Sequence, residues 1–190
     1  MTPRGTKLFG TTEQSSGVRG DEAGMSLVEL IIYGAITALL LSVLATLFAS
    51  SLSAEAQTRD RDTATGRAQV VMSSLQSSIR NASDMRVDGN VVRAVVATGT
   101  SGWSCEAWAL QGDRLLYRTS SSAIGLPDAS GTGWSTLASG VSATKAGSSF
   151  SMSGRTLGVS LTVKAGATTV PAAGEVLAQA KQSGTAKKCW

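Results

Sequence analysis

Apolar residues run without a charged interruption over residues 30–49, and beyond that run they thin into a periodic pattern. Twenty such residues wound as a helix rise about 30 Å, enough to cross a hydrocarbon core. One acid, Glu29, stands at the mouth of the run, behind Gly24-Met25-Ser26-Leu27-Val28. An acid at the centre of a membrane helix costs about 2.5–3.5 kcal/mol and less near its end, so Glu29 invites a functional reading. Over residues 54–82 there is no Pro and a single Gly, Gly66, while Val71, Leu75, Ile79 and Ala82 recur at three- and four-residue steps. That spacing predicts one apolar helix face, with Arg67, Ser74, Ser78 and Asn81 largely elsewhere. A single helix from about Met25 to Ala82 would be roughly 85–90 Å long.

Past Asp84 the pattern changes to that of strands. Val91-Val92 and Val95-Val96 follow the turn former Asp88-Gly89-Asn90. Residues 103–110 and 115–118 flank Gln111-Gly112-Asp113-Arg114, a hairpin signal. Residues 124–133 contain Pro127 and three Gly and read as a loop. Val159, Leu161 and Val163 alternate with Ser160, Thr162 and Lys164, the pattern of a half-buried antiparallel strand. Phe150 and Met152 mark its hairpin partner, turning at Ser153-Gly154-Arg155, and residues 175–180 are ambiguous between strand and short helix. The expected fold is α+β: one long N-terminal helix, its first half transmembrane, packed on an antiparallel sheet. The expected segments are 1–24, a leader; 25–50, the membrane half of the helix; 51–82, its amphipathic half; and 83–190, the sheet domain.

Composition narrows the chemistry. The chain has 190 residues, with 17 Lys and Arg against 13 Asp and Glu, and no His. The mild basic surplus is weak support for a nucleic-acid partner. Without His, a His-dependent metal or acid–base site is excluded. No phosphate-cradling P-loop or nucleophile elbow is present, so catalysis is not expected, nor is a cofactor or metal. Glu55, Asp60 and Asp62 could be drawn as a calcium site, but beside Arg59 and Arg61 they read as a solvated face with local ion pairs. Trp103, Trp108, Trp134 and Trp190 could present a binding surface and read more simply as core and rim packing. Cys105 and Cys189 are too far apart in sequence for a clustered zinc set or a C-x-x-C pair. They read as one disulfide in an oxidising compartment, with two unpaired thiols as the alternative.

Residues 1–24 lack apolar periodicity and read as disordered. A secretory signal peptide would place its apolar stretch before the cut, whereas here that stretch follows. The order is a polar leader, Gly24, a short apolar bridge, Glu29 and a membrane helix. It resembles the processing and assembly signature of type IV prepilins and pseudopilins. The resemblance implies that a membrane aspartyl peptidase cuts after Gly24 and N-methylates Met25. It further implies that Glu29 pairs with the new amino terminus of a neighbouring subunit in the filament core, where each charge offsets part of the other's desolvation. Met25 departs from the family's usual Phe, and the usual Pro of the membrane helix is missing, which fits a minor pilin or pseudopilin better than a major one.

Later segments resemble the PilW-like minor pilins and J-type pseudopilins: Leu75-Gln76-Ser77-Ser78-Ile79-Arg80-Asn81-Ala82, the hairpin of residues 108–118, and Gly140-Val141 before an alternating strand. The partners implied are prepilin peptidase, other pilin or pseudopilin subunits, an inner-membrane assembly platform and membrane lipid. The localisation implied is a single-pass cytoplasmic membrane protein, N-terminus cytoplasmic, with an extracytoplasmic sheet domain exposed on the filament. The positive-inside count runs the other way, with Arg19 before the span against Arg59, Arg61 and Arg67 after it. The processing motif and the cysteine pair favour the orientation stated. Two alternatives of other classes are a DNA-uptake subunit whose Lys181, Lys187 and Lys188 meet phosphates, and a membrane-tethered domain outside any filament.

Overall fold

The computed structural model describes residues 26–99, 102–144, 149–181 and 188–190. The fold is α+β. Helix α1 (Leu27–Arg80) precedes nine strands: β1 (Ala82–Asp88), β2 (Val91–Ala97), β3 (Trp103–Gln111), β4 (Arg114–Ser120), β5 (Ser135–Ser139), β6 (Val141–Ala143), β7 (Phe150–Ser153), β8 (Thr156–Ala165) and β9 (Thr168–Leu177). The chain divides into two units, Met1–Phe48 and Ala49–Trp190.

The described part of the first unit is helix alone. Its large apolar side chains, Leu27 through Phe48, are all exposed. Three hydroxyls in it turn back on their own backbone: Ser42 donates to the Leu39 carbonyl at 2.7 Å, Thr46 to Val43 at 2.8 Å, and Thr37 to Tyr33. Polar groups satisfied inside the helix need no partner from outside, as a hydrocarbon environment demands.

The second unit carries the sheets. Strands β1 to β5 form an antiparallel meander in chain order, and β8 is the centre of a second sheet. β7 pairs with the first part of β8 and β6 with its later part, so the two short strands share one edge while β9 occupies the other. The sequence pattern predicts a single sheet; there are two. The break lies at Gly140, between β5 and β6, whose φ of 73° carries the chain into the left-handed region. A Cβ there would stand 2.3 Å from the Lys164 carbonyl oxygen. Gly is thus needed both for the turn and for the close approach. Gly140 in turn accepts the Lys164 N–H at 2.7 Å, and Val141 donates to Asp113 in the β3–β4 turn.

Ala64, Ala68, Val71, Leu75 and Ile79 are the buried residues of α1. Ala68, Val71, Leu75 and Ile79 enter one core with Val92, Ala94, Val96 and Trp108 of the first sheet and Leu157, Val159, Leu161 and Val163 of the second. Ala82, expected on the helix face, is instead the first residue of β1, because α1 ends at Arg80 and a single residue, Asn81, makes the turn. The helix end is satisfied by its surroundings, as orphaned terminal carbonyls require. Gln179 donates to the Arg80 carbonyl at 3.0 Å and Asn81 Nδ2 to Ser77 at 2.9 Å. The ambiguous stretch 175–180 resolves as strand to Leu177, followed by an irregular tail held by Arg155, which donates to the carbonyls of Ala178 and Ala180.

The first sheet is buried on both faces at its centre: Val91 to Val96 of β2 are all buried. One face meets α1. The other carries Val95, Cys105 and Ala107, covered by Ile124 and Cys189 with Trp103, Trp134 and Trp190 around them.

Candidate functional site

The first turn of α1 is the site the sequence singles out. Gly24 and Met25 lie outside the described residues. Ser26 is described, and its carbonyl accepts the Leu30 N–H at 3.1 Å. That bond makes Ser26 the N-cap and Glu29 the third helical residue, the spacing of a capping box. A carboxylate there also faces the positive end of the helix dipole. Sequence reasoning missed this local role, although Ser26-Leu27-Val28-Glu29 spells it. Glu29 is exposed and is the only charged residue of α1 before Glu55. Its placement suits two uses: holding the helix start in one chain, and meeting a cation brought by another.

The domain-side half of α1 is locked to the sheets by polar contacts along one flank of its apolar stripe. Trp108 Nε1 donates to Ser74 Oγ at 3.1 Å, and Ser78 Oγ donates to Glu106 at 2.7 Å. The sequence pattern assigned both serines away from the packed face; they lie at its margin instead. Glu106 also faces Tyr117, whose phenol is pushed up to about 12, first by burial and then by that carboxylate. Nearer the apolar run, Asp60 accepts the Ala167 N–H at 3.1 Å in the β8–β9 turn, and Arg67 reaches the Ser139 carbonyl at 3.4 Å. These side chains fix the helix axially as well as laterally.

The acids drawn as a calcium site face different partners. Glu55 pairs with Arg59 one turn on, and Asp60 is engaged with the β8–β9 turn. No group of three potential ligands gathers among the described residues.

Cys105 and Cys189 are joined by a disulfide with their Cα atoms 5.3 Å apart, and both are fully buried. The Cys189 carbonyl accepts the Ile124 N–H at 2.9 Å, and Arg93 Nη1 donates to the Ile124 carbonyl at 3.1 Å. The bond thus pins the C-terminus and the 121–134 connection to the same face of β2 and β3. Arg93, nearly buried, also pairs with Asp88, and that guanidinium holds the Asp88 carboxyl below its usual range. Trp108 is core; Trp103, Trp134 and Trp190 ring the disulfide half-buried. Of the lysines proposed for DNA, Lys187 lies outside the described residues, and Lys181 and Lys188 are exposed.

Comparison with protein-family models, with curated proteins and with solved structures gives no match to this chain.

Proposed function

We propose that the protein is a minor pilin or pseudopilin subunit, cut after Gly24 by a prepilin peptidase and built into a type IV pilus-like filament through α1. Its role is mechanical, and its sheet domain faces away from the filament core on the extracytoplasmic side. The observation that carries this reading is the character of α1. Its first half exposes apolar side chains all round and holds one charge, Glu29, in its first turn. A surface of that kind needs lipid, or the like surfaces of neighbouring helices, to cover it. Lipid before assembly and sister helices after it both satisfy that need. Cleavage would leave a new amino terminus next to the N-cap, within one helical turn of Glu29 and free to meet a neighbour's carboxylate.

Intact-mass measurement of the membrane-extracted chain should give a protein starting at methylated Met25. A chain starting at Met1 would overturn the reading. Replacing Glu29 with Ala should leave membrane insertion intact, because the span only becomes more apolar. It should sharply reduce the subunit's share in sheared filaments; equal shares of mutant and wild type would refute the pairing.

A further inference from the structure

Between α1 and the start of β9 lies an open cavity of about 600 Å³ whose polar lining offers hydrogen-bond donors. Gln57, Arg61 and Thr65 of the helix face Thr168 and Thr169 of β9, over an apolar floor that includes Pro171. No carboxylate lines it. Of the neighbouring acids, Glu55 pairs with Arg59, Asp60 accepts the Ala167 N–H, and Asp62 is outside the lining. Among the described residues Arg61 is in no ion pair. A guanidinium is always charged and offers a fork of donors that matches phosphate oxygens. Hydroxyls on two facing elements supply the remaining hydrogen bonds such an anion accepts. The Asp60 contact holds the turn before Thr168 against the helix, so the two donor sets are positioned before any ligand arrives.

We propose that this groove binds a phosphate-bearing anion through Arg61, Thr168 and Thr169. A lipid headgroup and free phosphate are the two sources of that chemistry. The groove begins at Ala54, five residues past the apolar run, which favours the lipid. The lipid source rests on the membrane-anchored reading; recognition of phosphate does not.

The test is native mass spectrometry of the full chain in neutral detergent, offered phosphatidylglycerol, phosphatidylcholine or inorganic phosphate. The wild type should retain phosphatidylglycerol over phosphatidylcholine, and phosphate should compete it away. Arg61→Gln should weaken retention about tenfold, the scale of one charge-assisted contact. Arg59→Gln, on the same helix outside the groove, should bind as the wild type does. Binding of phosphate without preference for the anionic lipid would keep the site and overturn the lipid as its source. Equal retention by Arg61→Gln and wild type in every arm would overturn the site. The same spectra give the mass of the chain, so failure of leader cleavage is read separately from failure of the groove.

Discussion

Over Leu27 to Phe48, α1 carries exposed large apolar side chains around its circumference, Leu40 at 57%, with Glu29 as the one charge. Over Ala64 to Ile79 the same helix is apolar along one stripe, and there Leu75 is at 0%. The first stretch has no preferred side: its large apolar side chains are exposed all round. The second has a side because two sheets approach from one direction. The difference teaches that periodicity, more than apolar content, tells what covers a helix. It also separates two stabilities: that of the domain, set by residues 49–190, and that of the apolar helix before it, set by what surrounds it.

The largest expected effect tests whether the domain stands on its own framework. Removing both cysteines (Cys105→Ala with Cys189→Ala) opens a loop of 84 residues' separation. The chain-entropy model gives a loss of about 4–5 kcal/mol. Urea unfolding of residues 49–190 should show it as a lower midpoint, while membrane extraction of the full chain stays unchanged. An unchanged midpoint would mean the second small core holds without its staple.

Next comes a direct contrast of the two stretches. Leu75→Ala should destabilise the domain by about 3 kcal/mol through transfer and cavity terms. Leu40→Ala in the full chain should leave the domain's thermal unfolding where it was. A matching loss at Leu40 would break the comparison, because the exposed stretch would then have a partner within its own chain.

A smaller effect is expected at the contact nearest the boundary between the two. Gly166 has φ of 52°, and a Cβ there would meet the Asp60 carboxylate at 1.9 Å. Gly166→Ala should cost about 1–2 kcal/mol from backbone strain and displacement of Asp60. Combined with Asp60→Ala it should cost less than the sum of the two single changes, because they share one contact. Additive losses would show that Asp60 does not hold the turn.

The smallest effects are those of pH, confined to the domain. Asp88 is depressed when folded, first by its hydrogen bond from Arg93. Its contribution is therefore present above the unfolded carboxylate range and lost as pH falls through the folded value. Tyr117 is raised from 10.0 to about 12, so its contribution is present below about pH 10 and lost as pH rises through 12. Residues 49–190 contain Tyr117 as their one tyrosine. Ultraviolet titration of that fragment should show phenolate only near pH 12 when folded, and near 10 in urea. Titration of the folded fragment near 10 would remove Glu106 and burial as its determinants.

Much of the domain was legible because its signals are local. Val71, Leu75 and Ile79 carried their helical period into the core, and Val159, Leu161 and Val163 carried theirs as a strand. The hairpin turning at Gly112-Asp113 was marked by its own turn chemistry, with Gly112 at φ 61°. What escaped was non-local or weakly patterned. β5 and β6 are short and rich in Ser, Ala and Thr, so they show no clear alternation. Ala82 continued the helical spacing and yet became strand, since pairing with Val96 outweighs one more helical turn.

At the site itself, the sequence determined the uncharged run, the single acid before it and the residues of a capping box, because each depends only on neighbours along the chain. It also placed two cysteines and one amphipathic stripe. Only the tertiary structure decided that the stripe serves two sheets, that Ser74 and Ser78 bind along one edge of it, and that Asp60 holds a turn more than a hundred residues away. The same holds for the small core that Arg93, Ile124 and the disulfide close on the far face of the first sheet. Those contacts join residues distant in the chain, and no period of 2 or 3.6 residues encodes which distant surface a side chain will meet.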